Sequence, residues 1–115
     1  MKKKGLTLLY GPGNDLVSST ALTAAGAGLI LFTTGRGTPF GAPIPTMKIA
    51  TNTQMANRKK NWIDFNAGTV AEGESLDEVA KRLFKYVLEI ASGKNTKNEE
   101  NGYRQISIFK DGVTL

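Results

Sequence analysis

The chain predicts an α/β fold of three layers, a mostly parallel sheet of about five strands with helices on both faces. Three observations carry this. Leu29-Ile30-Leu31-Phe32 is apolar throughout, as strands become when both faces of a parallel sheet are covered and alternation is lost. Short apolar runs alternate with helix-forming stretches, the pattern of strand–helix–strand units. Ser75-Leu76-Asp77-Glu78 has capping-box spacing and opens a segment whose apolar residues recur at helical intervals. With 115 residues the chain has the size of a single domain, residues 1–115, with one core.

The elements follow in order. Leu6 to Tyr10 reads as a first strand, ended by the turn Gly11-Pro12-Gly13. Asn14 or Asp15 then offers an N-cap oxygen to a helix running to about Ala25. Its small residues, from Ser18 to Ala25, suit close approach to a sheet, and Gly26 and Gly28 close it. The second strand runs through Phe32, which makes a right-handed parallel unit of strand, helix and strand. From Gly35 to Thr46 three prolines and three glycines break all periodicity, and loops of about a dozen residues without structure tend to be functional.

Met47 to Thr51 is the third strand, ending in Thr51-Asn52-Thr53. A short polar helix, Gln54 to Lys60, leads to a fourth strand, Trp62 to Phe65, ending in Asn66-Ala67-Gly68. The helix opened by Ser75 places Leu76, Val79, Leu83, Val87 and Ile90 or Ala91 on one face, with Lys81, Arg82, Lys85 and Glu89 mostly outward. Gly93 suits its end. After a polar stretch from Lys94 to Gly102, Ile106 and Ile108 alternate with Gln105 and Ser107. That alternation predicts an edge strand near Tyr103 to Phe109.

Composition narrows the chemistry. An apolar fraction of 40% is too high for disorder. Cysteine and histidine are both absent, which removes disulfides, thiolate ligands, the commonest general base and the commonest metal ligand. A metal site built from this chain alone would need carboxylates, of which there are ten. The start, Met1-Lys2-Lys3-Lys4, is followed by too short an apolar run for a signal peptide, and no run approaches a membrane span. The expectation is a soluble, cytoplasmic protein with no membrane partner. The net charge of +5 gathers at Lys2-Lys3-Lys4 and Arg58-Lys59-Lys60. Neither cluster is interleaved with aromatics and no nucleic-acid motif is present, so no nucleic-acid partner is expected. A solvated face, or one that steers small anions, accounts for the charge.

Four predicted strands end in polar groups: Asn14 and Asp15, Thr33 to Arg36, Thr51 to Thr53, and Asn66. Parallel strands would bring these to one sheet edge, where ligands of open α/β sheets bind. Threonine and asparagine match polyol hydroxyls, and the Arg36 fork matches a carboxylate. Gly35 and Gly37 would let backbone approach the ligand. The competing reading makes the same residues caps and turn formers and Arg36 a surface residue. Gly11-Pro12-Gly13 and Gly35-Arg36-Gly37 match neither a dinucleotide fingerprint nor a phosphate-binding loop.

Several stretches resemble the carboxyl-terminal region of the altronate and galactarate dehydratase family. They are Pro12-Gly13-Asn14-Asp15, Phe32-Thr33-Thr34-Gly35-Arg36-Gly37-Thr38-Pro39, Lys48-Ile49-Ala50-Thr51-Asn52-Thr53 and Trp62-Ile63-Asp64-Phe65-Asn66-Ala67-Gly68. The ending, Ile108 to Leu115, resembles the terminus of altronate-type members. The resemblance implies a C-terminal domain or fragment of a longer hydro-lyase of sugar-acid catabolism, converting altronate to 2-dehydro-3-deoxygluconate. It implies iron (Fe2+), with ligands outside this chain, and upstream domains of the same enzyme as partners; a homo-oligomer is left open. On that reading Arg36 clamps the substrate carboxylate. Thr33, Thr34, Thr51, Asn52 and Asn66 recognise hydroxyls, beside the Gly35 and Gly37 backbone. Asn14 and Asp15 support a helix terminus, although Asp15 could also serve as a base. The chain alone would be inactive. The rival class is a non-catalytic ligand-sensing or assembly module with the same fold.

Overall fold

The computed structural model describes residues 4–108. Its centre is a parallel sheet in the order β1 (Ile30–Thr34), β2 (Thr46–Ala50), β3 (Phe65–Asn66). Around it lie α1 (Asp15–Ala24), α2 (Thr53–Arg58), a 3-10 turn (Gly68–Glu72), α3 (Leu76–Ala91) and α4 (Lys97–Glu100). The α/β class and the parallel sheet are as the sequence predicts. Among the described residues the sheet has three strands rather than about five, and no helix is long and apolar enough to cross a membrane.

The two missing strands have physical reasons. Leu6 to Tyr10 forms no strand, and Leu6 and Leu8 stand 96% and 90% exposed. With nothing among the described residues to cover them, burial does not offset the entropy of ordering the segment. The expected first strand–helix–strand unit is therefore not formed; its counterpart is β2–α2–β3. Tyr103 to Ile108 is likewise unpaired with the sheet. Its backbone bonds go elsewhere, Gln105 N to Gly41 O at 2.7 Å and Ser107 N to Thr20 Oγ1 at 3.1 Å. Phe109 and the remainder of the predicted edge strand and ending lie outside the described residues.

Strand β2 is buried along its whole length, and its pleat divides the molecule. Met47 and Ile49 point to one face and pack with Ile90 of α3, joined by Leu83, Tyr86 and Val87. Ala50 points to the other, with Met55 and Ala56 of α2 and Ile63. Helices thus cover both faces. On α3, Val79 and Ile90 are buried as the periodicity predicts, but Leu76 and Ala91 are exposed. The capping box expected at Ser75 does not form; Ser75 caps with its backbone only, and Arg82 reaches back to a bidentate pair with Glu74. A complete box appears instead in the stretch read as merely polar, between Thr96 and Glu99 at the start of α4.

Two joints hold the α2 side. Gly68 lies so close to the start of α2 that a Cβ would fall 2.5 Å from Asn52 Cα. The Asp64 carboxylate accepts from Lys48 N at 2.8 Å and from Lys97 N at 2.7 Å, tying α4 to the sheet. Burial still pushes the Asp64 carboxyl above its ordinary value, against the pull of those two N–H donors.

The crossover from β1 to β2 contains no helix. It is held by Lys48, whose side chain is 0% exposed in the central strand. Its Nζ donates to Thr38 O at 2.9 Å and lies 4.1 and 3.5 Å from the Phe32 and Phe40 ring centroids. The two rings meet edge to face at 5.1 Å. A desolvated cation on aromatic faces gains on the order of 2 kcal/mol, which offsets part of the burial cost. Burial still lowers the Lys48 pKa from 10.5 to about 8, against the pull of the Asp15 and Asp64 charges.

Two stability predictions follow from these contacts. Gly68→Ala should cost about 2 kcal/mol, because the added methyl meets backbone that cannot yield; a denaturant midpoint unchanged from the parent would refute the close joint. Between pH 8 and 10.5 the unfolded chain holds the Lys48 proton more firmly than the folded one, so stability rises with pH across that window. The parent should gain on the order of 2 kcal/mol relative to Lys48→Met over this range. Urea midpoints of both proteins at several pH values measure it, and a flat difference would mean the ammonium is solvated.

Candidate functional site

The carboxyl ends of the strands are level, since Thr34 pairs with Ala50 and Ala50 with Asn66 in the register. This brings Thr34, Gly35, Thr51, Asn52 and Asn66 to one edge. Their polar atoms are largely engaged with one another. Thr51 donates through N and Oγ1 to Thr34 O, at 3.1 and 3.3 Å. Asn52 caps α2 by accepting from Met55 N at 2.8 Å, and its Nδ2 donates to Gly35 O at 3.0 Å. Asn66 accepts from Gly68 N at 2.9 Å and donates to Thr53 Oγ1 at 3.0 Å.

The other predicted residues lie differently. Thr33 pairs with Ile49, so its side chain belongs to the α3 face and not to the face of Thr34. Asn14 caps α1, with Oδ1 accepting from Leu16 N and Val17 N at 3.1 and 3.2 Å. Asp15 is the first residue of α1. Because no strand forms ahead of them, the common edge is made by three strand ends rather than four.

Arg36 stands at the tip of the loop that leaves β1. The loop is shaped from below. Gly37 adopts φ +78°, its N–H donates to Thr34 Oγ1 at 2.9 Å, and a Cβ there would fall 2.8 Å from Lys59 Cδ. Lys59 Nζ donates to Arg36 O at 2.6 Å and Gly37 O at 3.2 Å. With its backbone held this way, the exposed Arg36 guanidinium makes no salt bridge among the described residues. Loop and helix α2 enclose an open cleft of about 400 Å³ lined by Gly35, Arg36, Asn52, Gln54, Met55, Arg58 and Lys59. Three cations and no carboxylate line it, so it suits an anion with hydrogen-bonding groups. A second cleft, of about 500 Å³, shares Arg58 and Lys59 and continues to Lys60 and Trp62.

Sequence reasoning missed Gln54, Met55, Arg58 and Lys59 as lining residues. Their spacing was the available signal, since residues four apart share a helix face directly after a strand end. Lys48 was also missed, though a lysine inside Met47-Lys48-Ile49-Ala50 is a polar anomaly in an otherwise apolar strand. As for iron, the donors of this chain do not fit it. Histidine and cysteine are lacking from the sequence, and no three acidic side chains gather among the described residues.

A family model described as D-galactarate/altronate dehydratase, C-terminal, matches residues 1–114. The chain is 54% identical over 116 aligned residues to altronate dehydratase of Bacillus subtilis (strain 168), covering 100% of this chain and 23% of that protein. It is 49% identical to altronate dehydratase of Escherichia coli (strain K12), again over 100% and 23%. With the galactarate dehydratase (L-threo-forming) of Escherichia coli (strain K12) it shares 42% over 111 residues, 93% of this chain and 21% of that protein. The chain therefore spans less than a quarter of the length of these relatives. By the extent of the match, it belongs to the D-galactarate/altronate dehydratase C-terminal family.

Proposed function

We propose that this chain forms one wall of a sugar-acid dehydratase active site and holds the substrate carboxylate on Arg36. The observation that carries the reading is the division of labour in the cleft. Lys59, Thr34 and Asn52 fix the loop, leaving the Arg36 fork free and facing solvent beside Arg58 and Gln54. A planar guanidinium held this way can take a carboxylate through two parallel bonds. The Thr51, Asn52 and Asn66 groups line the edge where a polyol chain would extend, and altronate, named in two of the relatives, is such an acid.

Loss of water next to a carboxylate needs a base for the α-proton and an acid for the departing hydroxyl. Arg36 would supply orientation and charge to the acid group. The proton transfers, and the iron the family reading calls for, would belong to residues outside this chain. Assayed alone with altronate, ferrous iron and a reductant, the 115-residue protein should fold and show no turnover; turnover above a protein-free control would locate the chemistry here.

In the longer dehydratase, Arg36→Ala should lower kcat/KM by roughly 10- to 150-fold, the value of about 1.5–3 kcal/mol for bonds to a charged group. Arg36→Lys should recover little of it, because an ammonium cannot form the fork. Neither change should move the unfolding midpoint, since the guanidinium is exposed. Lys59→Met should lower both midpoint and kcat/KM, because Lys59 holds the loop. Near-normal turnover in Arg36→Ala would remove that residue from the site.

A further inference from the structure

Helix α3 carries more apolar surface than the described residues cover. At 100° per residue, Val79, Leu83, Tyr86, Val87 and Ile90 fill an arc of about 100°, the width a single core asks of a helix. These are the residues packed on Met47 and Ile49 or buried beside them. The apolar character then continues for about another 100°, through Ala80, Ala91, Phe84 and Leu88, while Leu76 extends the first arc at the start of the helix. Leu76, Phe84 and Leu88 are 67%, 65% and 50% exposed. Within this second arc the one polar residue is Asp77, in the first turn, and beyond it Lys81 and Lys85 follow. Leu31 of β1 pairs with Met47, so it lies on the α3 side of the sheet, and it too is 50% exposed. A helix with two adjacent apolar faces serves two interfaces, and one of these is uncovered among the described residues.

We infer that the Leu76–Phe84–Leu88 face of α3 is the seat of the rest of the dehydratase, an apolar surface from the part of the enzyme that precedes this sequence. This rests on the reading of the chain as the carboxyl-terminal part of such an enzyme. The occupant is indicated by length. The matching relatives carry more than three-quarters of their residues outside the region this chain covers, and the matching model describes a C-terminal unit. Phe84, large and central in the stripe, is the anchor. The exposed Lys81 and Lys85 border it, so the occupant presents carboxylates along that rim.

The test uses the longer dehydratase polypeptide and does not depend on turnover. Phe84→Cys and Lys85→Cys variants are labelled with a maleimide, and p-benzoylphenylalanine at position 84 is irradiated and its adducts mapped by mass spectrometry. The expected result is labelling at Phe84→Cys at least tenfold slower than at Lys85→Cys, with the photoadduct at single-chain mass on a peptide preceding residue 1. Equal labelling rates would overturn the proposal, and so would an adduct of two-chain mass joining position 84 to a second copy of this region. Altronate turnover of the parent is measured in parallel. A shielded Phe84 in an enzyme without that turnover would leave the interface standing and remove the proposed function. An exposed Phe84 in an active enzyme would do the reverse.

Discussion

Burial of the Lys48 ammonium is the constraint on which the rest of the arrangement depends. A parallel strand pair is normally joined by a helix that covers the sheet as it crosses. Here β1 and β2 are joined by residues 35–45 without one, and a loop of that kind must satisfy its own backbone where it is buried. Lys48 does this from inside the sheet. It gives Thr38 O a partner and presents its charge to two rings, Phe32 from the strand and Phe40 from the loop. The cation is held by the loop and the loop by the cation.

From that clamp the site builds outward. In the segment Gly35–Gly37 the three carbonyls and the Gly37 amide are taken by Asn52, Lys59 and Thr34. Most of the polar side chains at the sheet edge therefore act on the protein and not on solvent. What they achieve is rigidity at Arg36, whose fork is kept available by the bonds its neighbours make. Under the proposed function, a loop framed in this way would lose little freedom when a ligand arrives, which is how preorganisation raises affinity.

Much of this was legible in the sequence, and the gaps have physical causes. The fully apolar run at Leu29–Phe32 marks β1 as a strand of a parallel sheet, but the burial on both faces that it suggests belongs to the central β2; on the edge strand β1, Leu31 is half exposed. The strand ends at Thr34, Thr51 and Asn66 followed from the same logic. Thr33 illustrates a limit, because a continuous apolar run gives no alternation from which to assign faces. Leu6–Tyr10 and Tyr103–Ile108 have the local character of strands, yet pairing depends on a free edge and on cover, and local pattern carries neither. The capping-box spacing at Ser75 to Glu78 was met without the bonds, while Thr96 and Glu99 made them inside a stretch without hydrophobic periodicity. The role of Lys48 needed the tertiary neighbours Phe40 and Thr38, eight and ten positions away in the chain.

The tie between β2 and α4 has a consequence for how the chain acquires its structure. Asn98 Nδ2 donates to Thr46 O across 52 residues, and Gln105 N reaches back to Gly41 O. The crossover loop is thus sealed by residues made long after it. On the ribosome the crossover loop emerges without this seal, and it stays so until some fifty further residues have been added. Non-local closure of this kind raises contact order and slows the final step. During that interval the backbone at Gly41, which Asn98 and Tyr103 approach closely in the finished structure, is without its cover. An uncovered buried segment of this kind is open to mispairing while the chain is incomplete.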